Sequence, residues 1–185
     1  MKELINKLKN LRKLAAVYSD YDNCDKFTVG YILKNTSDEL LILNISPCGK
    51  YDGFSVIRTD DIYRIEHESL YLKKIERLTD KGEISFPEFD CGNSLMDGLM
   101  KYSMENEMIT LIKIGGGADI VTGFVSDVTD EFVCLKQISD CGEYDGMTLI
   151  GKEQISFIAS DDEECRCIKR LYMLTKIQTA EKGYK

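Results

Sequence analysis

Apolar residues along this chain come in short runs separated by polar ones, and a few stretches repeat them at helical spacing. Leu4, Leu8, Leu11 and Ala15 recur every three or four residues, which predicts a short amphipathic helix at the start. Five short apolar runs come next, with the length that is typical of strands. We predict these strands at Leu14–Tyr18, Phe27–Leu33, Leu40–Ile45, Phe54–Ile57 and Ile62–Ile65, followed by a helix over Ser69–Leu78.

The same order of elements returns in the second half of the chain. Leu95, Leu99 and Tyr102 predict a second leading helix. The predicted strands are Met108–Ile114, Ile120–Val128, Phe132–Ile138, Met147–Ile150 and Ile155–Ile158, and a helix over Glu163–Leu174 closes the series. Three glycines, residues 115–117, separate the first two of these strands, which suits a hairpin turn that needs positive φ.

An internal repeat explains this recurrence. Residues 28–78 align with residues 121–171 at a constant offset of 93 without a gap, and 15 of the 51 pairs are identical. Such self-similarity indicates a duplicated structural unit. We therefore predict four segments: a first repeat over 1–78, an acidic linker with Pro87 over 79–93, a second repeat over 94–175, and a tail over 176–185.

The densest match within the repeat is a glycine-rich segment that ends in Tyr-Asp-Gly in both copies. Asp-Gly before an apolar strand is a hairpin signal, so we interpret six residues as turn-forming: Gly49, Asp52, Gly53, Gly142, Asp145 and Gly146. The functional alternative is that two equivalent loops present Tyr51 and Tyr144 as stacking or protein-contact residues.

A leading helix and five short antiparallel strands in each repeat predict a mainly β fold with short helices, in which each repeat forms a small bent barrel. Small barrels of SH3-like type have this strand pattern. The glycines of the second strands, Gly30 and Gly123, and the isoleucine-rich ends of both repeats carry a resemblance to the Sm-like family. Residues 57–65 of the first repeat resemble that family's second motif and keep its arginine, Arg58, and both isoleucines, with threonine in place of its glycine. The second repeat lacks the arginine.

The resemblance implies tandem Sm-like barrels, whose family members line a pore with two turns that contact RNA bases. Here those turns carry Ser37-Asp38-Glu39, Asp130-Glu131, Asp60-Asp61 and Glu153. Acidic groups repel phosphate, so these turns disfavour RNA binding. The open strand edges that each barrel would offer favour association between subunits. In the RNA-binding alternative, Arg58 and Lys152 would contact phosphate while Tyr51 and Tyr144 would stack on bases.

Composition and charge point the same way. The chain has 185 residues, 43% of them apolar and 30% charged, and a net charge of −8. This balance is typical of a folded globular protein, and its negative field disfavours DNA as a partner. Residues 1–14 lack the continuous apolar core of a secretory signal, and no apolar stretch reaches the length of a membrane span, so we expect a cytoplasmic protein without a membrane partner.

Candidate chemistry is sparse. His67 is the only histidine, and the seven cysteines contain no CxxC pair. We therefore expect no catalytic residue, no metal site and no cofactor. The sequence favours a non-enzymatic binding or assembly module that acts on itself or on a protein partner, with single-stranded RNA binding as the alternative and an unidentified enzyme as the weakest interpretation.

Overall fold

The computed structural model of this chain describes residues 1–185 except positions 22, 81, 83, 93, 116–118 and 183–185, and it does not describe the side chains of 178–182. The chain forms two compact units, Met1–Leu99 and Met100–Lys185. Residues 79–93, predicted as a linker, belong to the first unit, and the boundary between the units falls inside a helix.

The first unit contains one helix, five antiparallel strands and a second helix, as the pattern predicts. Its elements are α1 (Lys2–Asn10), β1 (Leu14–Tyr18), β2 (Thr28–Asn35), β3 (Glu39–Ile45), β4 (Tyr51–Arg58), β5 (Arg64–His67) and α2 (Leu70–Leu78). Strand pairing gives the order β5-β1-β2-β3-β4. A 3-10 turn at Thr59–Asp61 joins β4 to β5.

The second unit repeats this arrangement. Its elements are α3 (Leu95–Glu105, which begins in the first unit), β6 (Ile109–Ile114), β7 (Asp119–Val128), β8 (Phe132–Ile138), β9 (Tyr144–Gly151), β10 (Ile155–Ser160) and α4 (Glu163–Lys182). The strand order is β10-β6-β7-β8-β9, and a 3-10 turn at Lys152–Gln154 joins β9 to β10.

The strands are antiparallel as expected, but the structure does not confirm the two predicted barrels, because the described strands do not close. Among the described residues of each unit, the fourth and fifth strands do not pair with each other. The chain leaves β4 through the 3-10 turn, and the backbone N–H of Tyr63 then donates to the carbonyl of Tyr18, 3.1 Å away. This contact places the four-residue β5 beside β1, on the side opposite β2, so within the first unit β5 and β4 stand at the two ends of the strand order.

Several predicted boundaries shift for local reasons. Strands β4 and β9 begin three residues before the predicted Phe54 and Met147, because a bulge allows pairing to continue past the Asp-Gly step. Strand β5 covers Arg64–His67 instead of Ile62–Ile65. Helix α4 runs to Lys182, beyond the predicted start of the tail at residue 176. The predicted glycine turn at 115–117 lies mostly outside the described residues, although Gly115 has φ of +59°.

The repeat is visible in individual hydrogen bonds. In the turn after β3 the backbone N–H of Ser46 donates to the carbonyl of Lys50 at 2.9 Å. In the equivalent turn after β8 the N–H of Ser139 donates to the carbonyl of Glu143 at the same distance. Gly49 and Gly142 in these turns both have φ of +77°, a conformation that favours glycine. The duplicated residues therefore build duplicated turns.

Gly30 and Gly123 mark a close approach between strands. A Cβ atom at Gly30 would lie 2.1 Å from the carbonyl oxygen of Leu43, and one at Gly123 would lie 2.1 Å from that of Lys136. No side chain fits at either position without moving the neighbouring backbone. Both glycines are thus required by the packing of adjacent strands.

The core of each unit includes the buried face of its last helix. Leu72 and Ile75 of α2 are buried, and the equivalent residues of α4, Cys165 and Ile168, are buried as well. In the second unit these two residues belong to one cluster, which also contains Ile109, Ile138 and Tyr172. This cluster fixes α4 against the sheet and so determines where its later turns lie.

Candidate functional site

The second unit has an open cleft between α4 and strands β8 and β9. Its volume is about 580 Å³. The lining residues are Lys136, Gly142, Tyr144, Met147, Tyr172, Thr175 and Lys176. We call this cleft the Lys136 cleft.

The elements around the cleft are held in place by the core and by Gly142. The ring of Tyr172 packs on Phe124 of β7, with ring centroids 5.3 Å apart. A Cβ atom at Gly142 would lie 2.5 Å from Cβ of Leu171, so glycine allows α4 to lie against the turn between β8 and β9. The helix and the hairpin are consequently in contact at one end of the cleft.

Two lysines and two tyrosines give the cleft its chemistry. The ammonium of Lys136 donates to the hydroxyl of Tyr172 at 2.6 Å, and its Nζ lies 5.4 Å from the ring centroid of Tyr144. Lys176 Nζ lies 4.7 Å from the ring centroid of Tyr172. This geometry is typical of cation–π contacts. The cleft can therefore attract an anionic group and offer it aromatic surfaces.

The electrostatics of Tyr172 reflect the two cations. The hydrogen bond from Lys136 lowers the pKa of the Tyr172 phenol, with a further contribution from Lys176, while burial opposes the change. A smaller cavity of about 280 Å³ adjoins this region and shares Lys136, Tyr172 and Lys176. It adds a third cation, Lys169, to the same side of the unit.

The equivalent surface of the first unit is covered. Residues 84–91, which we call the covering segment, lie over it and bury Phe89, whose ring packs on Phe54 with centroids 5.0 Å apart. Lys34 of β2 donates to the backbone carbonyl of Phe89 at 2.5 Å. Phe86 packs on Tyr31, with centroids 5.5 Å apart. The segment predicted as a linker thus forms part of the first unit's core.

Repeat positions show how the two surfaces differ. Phe54 is 2% exposed, whereas the equivalent Met147 is 54% exposed. Buried Leu43 is replaced in the second repeat by Lys136. Thr79, the position equivalent to Tyr172, ends α2 in the first unit. One repeat therefore has a closed apolar surface and the other an open cationic cleft.

The four residues predicted as ligand contacts do not form one site within either unit. Tyr51 and Arg58 are the first and last residues of β4, and Tyr144 is the first residue of β9. Lys152 follows β9 and donates to the carbonyl of Thr129 at 2.9 Å. Because β4 and β9 are each eight residues long, roughly 20 Å separates the tyrosine at one end of the strand from the basic residue at the other. Only Tyr144 lies in the Lys136 cleft.

The six predicted turn residues divide into two groups. Gly49 and Gly142 lie in the turns after β3 and β8. Asp52-Gly53 and Asp145-Gly146 lie instead in bulges inside β4 and β9, with φ of +77° at Gly53 and +103° at Gly146. The register shift of these bulges sets the faces that the rest of β4 and β9 present.

Sequence reasoning missed the residues that define the cleft. Lys136, Tyr172 and Lys176 come from a strand and a helix that are far apart in the sequence, so no local motif joins them. The repeat held a signal, because Leu43 and Thr79 of the first copy change to a cation and an aromatic residue in the second. Both of these changes fall in the Lys136 cleft.

The cysteines and the histidine were the other candidates for metal binding or catalysis. Among the residues that the structure describes, no cluster of three or more histidine, cysteine or acidic side chains is suited to a metal ion. Cys165 is buried and Cys167 exposed on α4, and burial is the main cause that raises the pKa of the Cys165 thiol. His67 lies at the end of β5, with Nδ1 3.9 Å from a carboxylate oxygen of Glu68.

The sequence matches no protein-family model and no curated protein. Within the described part of the chain, no helix combines the length and the apolar character needed to cross a bilayer.

Proposed function

We propose that this chain is a non-enzymatic assembly protein of two Sm-like units, which self-associates through the outer strand β9. Among the described strands, β9 pairs with β8 alone. An unpaired strand edge presents backbone donors and acceptors that another strand can satisfy. The eight residues of β9 are enough for such a pairing.

The observation that carries this proposal is the exposed apolar side chain of Leu149 on β9. Leu149 is 64% exposed and pairs with Cys134 of β8, and the neighbouring Phe132 is also exposed. Exposed apolar side chains beside an open strand edge are typical of association surfaces. Assembly would bury these side chains and complete the hydrogen bonding of β9.

The second outer strand supplies a candidate partner. In the first unit, β5 pairs with β1 alone among the described strands. Contact between β9 of one copy and β5 of the next would be heterologous, and such contacts generate rings or open chains. RNA binding by Tyr144 together with Lys152 lacks comparable support, because the two residues lie at opposite ends of β9.

Sedimentation velocity over a range of protein concentrations tests the proposal. We expect the wild-type mass to exceed that of the monomer and to rise with concentration. Leu149→Lys should give a folded monomer, because a charge on an outer strand opposes pairing. Ile120→Lys, an equally apolar and exposed position on β7, is the matched control and should assemble normally. A wild-type chain that stays monomeric at every concentration would contradict self-association.

A further inference from the structure

We propose that the Lys136 cleft binds an extended acidic segment of a partner protein, anchored by phenylalanine. The precedent for this interaction is the first unit, which binds residues 84–91 of its own chain. This inference goes beyond self-association, because it concerns the cleft between α4 and β9 and a different kind of partner.

The covering segment of the first unit provides the template. It has no helix or strand structure, and it buries Ile84, Phe89 and Cys91 while Glu88 and Asp90 stay exposed. A segment of eight residues therefore supplies a buried aromatic anchor with an exposed carboxylate on each side of it in the sequence.

Strands of the first unit hold this segment by ring packing and by a hydrogen bond. Phe89 packs on Phe54 of β4, and Lys34 of β2 donates to the carbonyl of Phe89. Just after the segment, the carboxylate of Glu39 on β3 accepts from the hydroxyl of Ser94 at 3.1 Å. The contacts to the segment itself are ring packing and a hydrogen bond to a backbone carbonyl, which a separate peptide can reproduce.

In the second unit the chain does not supply an equivalent segment from the same position. Helix α2 ends at Leu78, after which the chain turns toward the covering segment. The equivalent Leu171 lies inside α4, which continues to Lys182. Met147, at the position of Phe54, is left exposed beside the helix. Methionine is suited to such a surface, since its flexible thioether adapts to aromatic partners.

The charges of the cleft select an acidic occupant. Where the first unit has Leu43, the second has Lys136, and Lys176 and Lys169 lie nearby on α4. Carboxylates spaced like Glu88 and Asp90 around a phenylalanine would meet these cations while the ring packs on Met147. Complementary charge would then add to the selectivity that the apolar contact gives.

Fluorescence anisotropy with a labelled peptide tests the proposal on the full chain. The probe is residues 82–92 with Cys91→Ser, and we expect saturable binding that weakens as salt increases. Lys136→Glu and Met147→Asp should each weaken binding by about tenfold or more. Lys152→Glu makes the same charge change at the far end of β9 and should leave binding within about twofold. Lys136→Gln serves as a milder second variant if Lys136→Glu folds poorly.

Peptide variants test the chemistry of the occupant. Replacing both phenylalanines by alanine should abolish binding, and replacing Glu88 and Asp90 by lysine should do the same. Running the titration on Leu149→Lys separates the two proposals, because peptide binding is expected to persist when self-association is lost. Peptide binding without oligomers would overturn only the proposed self-association.

Three results would overturn the inference. The first is the absence of saturable binding at millimolar protein. The second is binding that survives both Lys136→Glu and Met147→Asp, which would mean that the peptide exchanges with the covering segment of the first unit. The third is binding of U-rich or A-rich single-stranded RNA that depends on Lys136 while the peptide fails to bind, which would make the cleft a nucleic-acid site.

Discussion

Met147 occupies in the second repeat the position that Phe54 occupies in the first, yet Met147 is 54% exposed and Phe54 is 2% exposed beneath the ring of Phe89. The two surrounding sheets have the same strand order within their own units. The difference therefore arises from the path of the chain beyond Leu78 and beyond the equivalent Leu171, and from the replacement of Leu43 by Lys136.

Removing the ring of Phe89 is expected to destabilise the first unit. Phe89→Ala should lower the free energy of its unfolding by about 3–5 kcal/mol, because it deletes a buried aromatic side chain and uncovers Phe54. Urea denaturation measures the loss. Phe132→Ala, at an exposed position, should cost about 1 kcal/mol or less. Equal costs for the two variants would show that the covering segment is not part of the core.

The paired glycines provide a test of the repeat. Gly30→Ala and Gly123→Ala should each cost about 3 kcal/mol or more, because the added Cβ meets a backbone carbonyl. Gly151→Ala is the control, since its Cβ would find its nearest neighbour at 4.0 Å, and it should change stability by about 0.5 kcal/mol at most. Thermal unfolding measures all three. A tolerated alanine at either position would contradict the close strand contact.

The hydrogen bond from Lys136 to Tyr172 should make the stability of the second unit depend on pH. The folded pKa of Tyr172 is lowered, so its ionisation adds stability as pH rises through that pKa, and the gain is complete above the unfolded value of about 10. Lys136→Met should raise the pKa of Tyr172 and remove this gain. Tyrosinate absorbance, taken as the difference from Tyr172→Phe, follows the titration.

Lys101→Met is the control for that titration, because Lys101 is an exposed lysine of α3. It should leave the Tyr172 titration unchanged. An unchanged titration in Lys136→Met would mean that the hydrogen bond does not set the pKa of the phenol.

Thiol reactivity should follow burial on α4. Cys167 is exposed and is expected to react rapidly with Ellman's reagent, together with Cys24, Cys48 and Cys141. Cys165 should react only on unfolding, because burial raises the pKa of its thiol and blocks access. Cys167→Ser should remove one fast-reacting thiol and Cys165→Ser none. The reverse result would contradict the orientation of α4.

The sequence was sufficient for the elements that depend on local pattern. Helical spacing located α1 and α3, apolar runs located all ten strands, and the repeat indicated that equivalent turns form at Gly49 and Gly142. The predicted starts of β4 and β5 were wrong because a bulge at Asp52 and a 3-10 turn at Asp60 come just before them. Neither feature produces a recognisable change in the alternation of apolar and polar residues. Barrel closure failed because it depends on which distant strands pair.

The covering segment and the cleft were beyond local reasoning for another reason. Pro87 and acidic neighbours are typical of a linker, and the burial of Phe89 becomes evident only when β4 lies beneath it. Lys136 and Tyr172 belong to elements whose contact depends on the whole core of the unit. The repeated motif identified Tyr144, but the lysine whose ammonium lies over its ring is Lys136 and not Lys152.

The covering segment begins only six residues after the end of α2 at Leu78. A segment on so short a tether has an effective local concentration of about millimolar or higher over its own surface. A free competitor that makes similar contacts would displace only a small fraction of it at micromolar concentration, so we expect the first unit to stay closed. No described residue covers the Lys136 cleft in this way, so the fraction of it that is bound would depend on the concentration of its partner. The duplicated surface would then be covered in one copy and available for regulation by a partner in the other.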